Sequence, residues 1–163
     1  MPRILGFLCC EKVLFDTSEG NLLSAGNDLF SRESLSLIAL LQGVRMAHPP
    51  GPLPTFPENT IMGFNWGAVS VWVRSDGDGE SLDFEQRIVL KASDGTILLE
   101  AMSPVSFKPG NVQARHFFRA GGIPIWKPGK CSLRLDYRLN ESQKWECVSD
   151  APFNIEFVEV KES

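Results

Sequence analysis

Histidine is scarce in this chain, and the spacings that usually surround it in metal and catalytic sites are missing. Only His48 and His116 occur in 163 residues, and no Cys-x-x-Cys or His-Glu-x-x-His run is present. A zinc centre needs several ligands at suitable spacing, so no local motif marks one. No apolar run approaches the roughly 18 residues of a membrane-spanning helix. The N-terminus does not read as an export signal, because the apolar run Ile4–Leu8 is short and soon meets Glu11 and Lys12. The expectation is a cytoplasmic protein without a membrane segment. The glycines of "GGIPIWKPGK" are not followed by Lys-Ser/Thr, which excludes a phosphate-cradling loop. Basic residues are outnumbered, 16 against 20, for a net charge of −4. That balance speaks against a general nucleic-acid surface, and Arg115, Arg119 and Lys127 are too sparse to form a stripe for one.

What the chain does have is core material. Eleven Phe, four Trp and a hydrophobic fraction of 43% suffice for one domain over residues 1–163. Four cysteines, Cys9, Cys10, Cys131 and Cys147, are expected as free thiols in a reducing compartment.

The apolar signal has a period of two. In "KCSLRLDYRLN", Cys131, Leu133, Leu135, Tyr137 and Leu139 alternate with Ser132, Arg134, Asp136 and Arg138, as in a half-buried antiparallel strand. "PFNIEFVEV" turns Phe153, Ile155 and Phe157 inward. Residues 82–91 alternate around Phe84, Ile88 and Leu90, with Gln86 breaking the apolar face. Further strands are expected at Ile4–Phe15, Leu35–Arg45, Ile61–Arg74, Ile97–Ser103 and Val112–Phe118. Asp94-Gly95, Pro109-Gly110 and Pro128-Gly129 supply turns, as does the Gly77/Gly79 run. The stretch "FSRESLSLIALLQGV" is the only helix candidate, with Ser31 or Ser34 as cap; strand alternation is favoured. The reading is an all-β, single-domain antiparallel β-sandwich of seven to nine strands with two long loops. These are a polar insertion at 17–34 and a proline-rich loop at 47–59.

A combination of motifs points to a family. Cys10-Glu11 with Val13 and Asp16, then Leu35–Ile38 with Gly43, Pro54–Pro57 and the turn-and-strand Pro128–Asp136 resemble a group of small bacterial and phage-associated proteins of unknown function. The resemblance implies an immunoglobulin-like β-sandwich and brings no catalytic residue. The chain departs from that pattern by inserting "SAGNDLFSRES" and by having two adjacent cysteines where one is expected.

Each candidate chemistry has a plainer rival. Neighbouring strand residues point to opposite faces, so Cys9 and Cys10 should not share an ion or form a vicinal disulfide. Taking Ile4, Gly6 and Leu8 on one face puts Cys10 with them and Cys9 with Leu5 and Phe7. A cysteine enzyme using Cys9 or Cys10 with His48 or His116 has no motif to mark it. Asp76, Asp78 and Glu80 match the first calcium-ligand offsets of an EF-hand loop, but Ser81 stands where glycine is required and Arg87 where glutamate is. A solvated turn is the better reading. The strongest interaction feature is the proline-rich loop, where Pro49, Pro52 and Phe56, with Trp126, form a possible patch. The functional expectation is a non-catalytic protein-interaction or structural module that binds a protein or itself and needs no cofactor. The alternatives are a small-ligand or calcium-binding module and, behind it, the cysteine enzyme.

Overall fold

A computed structural model describes residues 1–18, 32–75, 82–107 and 109–160, with 11–18 and 32–39 described as backbone. Among them are eleven strands: β1 (Arg3–Ser18), β2 (Arg32–Leu40), β3 (Gly43–His48), β4 (Ile61–Met62), β5 (Trp66–Val73), β6 (Leu82–Ala92), β7 (Ile97–Phe107), β8 (Gln113–Ala120), β9 (Ile123–Pro124), β10 (Gly129–Arg138) and β11 (Glu146–Glu159). They form a four-stranded sheet ordered β2-β1-β5-β8, a five-stranded sheet ordered β3-β11-β10-β6-β7, and the small ribbon β4-β9. The structure is all-β, and residues 35–40 are strand, as their alternation predicts.

The two large sheets pack through one core. Trp66, Ala68 and Trp72 of β5 join Phe84, Ile88 and Leu90 of β6, Leu133, Leu135 and Tyr137 of β10, and Phe153 and Ile155 of β11. Aromatic rings knit its centre. Trp72 meets Phe84 edge-on at 4.8 Å and Tyr137 at 5.6 Å between centroids, geometries that favour the ring quadrupoles beyond area burial alone. Gln86, the polar residue that interrupts the β6 pattern, is buried here as well. Its Oε1 accepts from Ser70 Oγ at 2.8 Å and from Trp72 Nε1 at 2.9 Å, and its Nε2 donates to Ser103 Oγ at 3.3 Å. The side chain is tolerated because it satisfies two donors that would otherwise be buried without partners.

The structure departs from the sequence expectation in several ways. There are eleven strands among the described residues rather than seven to nine, β7 runs on to Phe107, and Ala47 and His48 of the expected 47–59 loop belong to β3. The segment Leu35–Arg45 is two strands, since the chain leaves the four-stranded sheet after Leu40 and enters the five-stranded sheet at Gly43. Leu41 stays in the core through the crossing, which keeps the apolar pattern unbroken. Ile61–Arg74 likewise divides at residues 63–65. The ends of the 17–34 stretch belong to β1 and β2, and 19–31 lie outside the described residues. Finally, β3 runs parallel to β11, whereas the other pairings are antiparallel. A Cβ at Gly43 would lie 2.3 Å from the Asn154 carbonyl oxygen, so glycine is what lets β3 begin so close beside β11.

The face assignment of β1 also needs correction. A bulge between Ile4 and Gly6 places the extra residue Leu5 outside, 66% exposed. Such an insertion reverses the alternation on one side of it. Ile4 therefore packs on the core with Phe7 and Cys9, while Gly6, Leu8 and Cys10 share the opposite face.

Candidate functional site

The outward faces of the two sheets are built from the same alternation but carry different chemistry. On the five-stranded sheet, outward residues pair with one another. Asp136 is 1% exposed although it lies on the outward side of β10. Arg87 Nε donates to its Oδ2 at 2.9 Å and Arg134 donates to its Oδ1 at 3.1 Å. Arg87 also reaches Glu100 at 2.8 Å, and Arg138 Nε reaches Glu85 at 2.6 Å. The half-buried Trp145, just before β11, is flanked by the Arg87 and Arg138 guanidiniums at 4.6 and 4.4 Å from its ring centroid. Charge and cation–π contacts thus satisfy the centre of this face. Met102 and Ile97 on β7 and Val158 on β11 stay 63%, 49% and 46% exposed, and Arg134 Nε is buried without a hydrogen-bond partner among the described residues.

On the four-stranded sheet the register of β1, β5 and β8 gives rows that can be read directly. Arg119 lies beside Gly67, which pairs with Cys10, which pairs with Leu40. The next row is Phe117, Val69 and Leu8, followed by Arg115, Val71 and Gly6, then Gln113, Val73 and Arg3. Val69 and Cys10 are buried, with Val71 and Phe117 packed against them. Leu8 and Leu40 remain 43% and 61% exposed. Among the described residues these rows contain three arginines and no carboxylate. The face is aliphatic and basic.

The thiols separate by position. Cys10 is fully buried, its Sγ 3.7 Å from the Gly67 carbonyl oxygen. Cys9 is half-buried on the core side, and desolvation, reinforced by Cys10, pushes its pKa up to about 12. That is the opposite of nucleophile activation, which needs a stabilised thiolate. Burial, and secondarily Asp94, raises Cys131. Cys147 is exposed, and its contact with Arg134 is the leading cause of that arginine's raised pKa.

Neither histidine completes a dyad with the opening cysteines. His116 is the cross-strand partner of Ser70 on the core side, away from Cys10, and burial lowers its pKa toward the neutral imidazole. His48 is buried, with Nδ1 donating to the Pro49 carbonyl oxygen at 2.8 Å and its ring edge-on to Phe157. Among the described residues no group of three His, Cys, Asp or Glu side chains is arranged to hold a metal. Asp76, Asp78, Glu80 and Ser81 lie outside the described residues.

The proline-loop candidates are distributed as follows. Pro49 and Pro52 are exposed, while Phe56 is half-buried and stacks on Phe157 at 5.6 Å. Trp126 is half-buried with Lys127 Nζ 6.0 Å from its ring centroid. The loop's end is tied to the segment leading to Trp126 by the Ile125 amide, which donates to the Thr60 carbonyl at 3.0 Å. No ring contact joins Phe56 to Trp126 among the described residues. Phe56 is thus spent largely on packing.

An open depression of about 450 Å³ lies at the β6–β7 turn, with Lys91, Lys130, Ser132 and Arg134 on its walls. Neither lysine is ion-paired among the described residues. Asp94, also in the lining, is neutralised by Lys127, whose hydrogen bond is the main reason its pKa is lowered. Asp150 also lines it and Arg134 is committed to Asp136, so only Lys91 and Lys130 would draw a small anion there.

Sequence reasoning weighed Arg115 and Arg119 only as a nucleic-acid stripe and did not join them to Phe117 on one face. "ARHFFRA" holds the clue, since period two puts all three on one face, but isolated arginines on a strand have no motif to flag them. No helix among the described residues is long and apolar enough to cross a membrane. The chain matches no protein-family model and no curated protein.

Proposed function

We propose that this protein is a non-catalytic interaction module on an immunoglobulin-like β-sandwich, akin to the small bacterial and phage-associated group it resembles, and that it associates through the outward face of its four-stranded sheet. The observation that carries this reading is the exposure of Leu8 and Leu40 around a buried Cys10–Val69 centre, beside rows of β1, β5 and β8 that hold three arginines and no carboxylate among the described residues. Contiguous apolar surface of this kind marks interaction sites more often than free surface. The elevated Cys9 pKa supports a non-catalytic role for that thiol.

Site-specific photo-crosslinking tests the reading. A photoreactive residue at position 8 is expected to give discrete protein adducts in extracts of the source cells, while the same residue at position 100, on the opposite face, gives none. Equal labelling from the two positions sinks the reading.

A small-anion module is the second reading, favoured by the depression beside Lys91 and Lys130. A ligand of the native state must raise its melting temperature. Phosphate or citrate should therefore shift the wild type and leave Lys91→Ala/Lys130→Ala unshifted; no shift in either discards it.

A further inference from the structure

We infer that the partner of this face is an extended acidic segment that adds to the sheet as a fifth strand along β8. The inference rests on the association reading above and names the partner's chemistry.

The first argument is the state of the edges. Among the described strands β8 pairs only with β5, so one side of its backbone faces outward. Its register against β5 runs from Gln113 to Ala120 without a shift, and it contains no proline. β2, the other edge of this sheet, is also free of proline, and β8 differs from it in its row of arginines about Phe117. The edges of the five-stranded sheet are less receptive. β7 carries Pro104, which removes a donor, and β3 has only six residues. Edge strands are normally blunted by proline, bulges, shortness or charge. On β8 only charge does so, through Arg115 and Arg119.

The second argument is what that charge selects. Arg115, Phe117 and Arg119 stand two residues apart on one face, with both arginines exposed. Neither has an ion-pair partner among the described residues. A second copy pairing antiparallel through β8, centred on Phe117, sets Arg115 against Arg119 in both directions. Like charges directly opposite one another are destabilising, so self-pairing at this edge is disfavoured. A strand with carboxylates two residues either side of an apolar residue reverses the sign of both contacts. Its two intervening side chains then lie beside His116 and Phe118, the latter packed on Trp66, and its flanking residues beside Ala114 and Ala120. Apolar residues suit the two intervening positions.

The recognition pattern is therefore Glu-x-Φ-x-Glu with apolar x, held by main-chain hydrogen bonds and read by two arginines and the aliphatic face. Exposed Leu8, two strands away, favours a protein surface that continues across the face. A single-stranded nucleic acid wants stacking platforms, and Phe117 is half-buried rather than presented.

Fluorescence anisotropy with a labelled Thr-Glu-Val-Phe-Val-Glu-Thr peptide provides the test. Its lysine-for-glutamate version and a form N-methylated at alternate amides serve as controls. The acidic peptide should bind about tenfold or more tightly than the lysine peptide, since two cross-strand contacts change sign. N-methylation should abolish binding. Arg115→Glu/Arg119→Glu, with its fold checked by near-UV circular dichroism, should reverse the preference; if that variant fails to fold, Arg119→Gln alone should narrow it.

Equal affinity for the acidic and lysine peptides overturns the inference. So does a β8-dependent dimer in sedimentation, or uptake by phosphatidylserine vesicles or oligouridine with no peptide binding. Crosslinks from position 8 that persist without charge preference would leave the association reading standing and remove the acidic strand alone. Loss of position-specific crosslinks would remove the association reading.

Discussion

The outward face of the five-stranded sheet and that of the four-stranded sheet share the same alternation of side chains but differ in what those side chains meet. On the first, Asp136 is buried by two arginines, Trp145 is flanked by two guanidiniums, and Glu85 and Glu100 complete the pairing. On the second, Leu8 and Leu40 face solvent, and Arg3, Arg115 and Arg119 have no carboxylate among their described neighbours in the sheet. Outward-pointing is not one category. The polar lattice at the centre of the first face contributes to stability, although Arg134 Nε lacks a partner there among the described residues and Met102 and Ile97 stay exposed toward the β7 edge. The rows around Leu8 have no such lattice among the described residues and are the ones left for association.

The largest break in this contrast should come from Asp136→Ala. Removing it leaves Arg134 and Arg87 crowded on a partly desolvated face, and the expected cost is about 2–4 kcal/mol in urea unfolding. A cost under about 0.5 kcal/mol would mean that the lattice is decorative. Trp145→Ala should cost less, about 1–2 kcal/mol, from two lost cation–π contacts and half a buried ring.

The thiols sharpen the same contrast by pH. The folded pKa of Cys9 is raised, from 9.0 to about 12, so folding favours its protonated form. Its contribution is fully present below pH 9 and is lost as pH rises toward 12. The urea midpoint of the wild type should fall between pH 8 and pH 10.5 by more than that of Cys9→Ala. Identical pH dependence would refute the assignment. In Ellman titration at pH 8, Cys147 should react first and Cys9 slowly.

The smallest effects are expected at exposed positions. Leu8→Lys should change stability by less than about 0.5 kcal/mol while abolishing crosslinks from neighbouring Leu40, separating association from folding. Glu156→Gln should also stay within about 0.5 kcal/mol, because its partner Arg45 is largely solvated. A loss of several kcal/mol at Leu8 would make that face structural.

Much of the fold was legible because burial on one side of a strand forces a period of two. Tyr137 and its neighbours on β10, and Phe153 and Ile155 on β11, lie inward as their pattern requires. Gln86 was visible as an exception, though its role was not, because its partners Ser70, Trp72 and Ser103 come from two other strands. Ile4 was assigned to the wrong face because a one-residue bulge has no composition of its own. The apolar run through Leu41 hid a change of sheet for a related reason, since both sheets border the same core. Phe56 and Trp126 were legible as apolar loop residues, but not how much of each is used for packing.

By itself, the sequence determined that this chain is built from strands and which side of most of them is apolar, because alternation is a local property of the backbone. Only the tertiary structure decided what the other side meets. Pairing Asp136 with Arg87 depends on the register of β10 against β6, and gathering Arg115, Phe117 and Arg119 beside Val69 and Leu8 depends on β1, β5 and β8 lying together. These are contacts between residues far apart in the chain, set by sheet order, for which no short stretch carries the information.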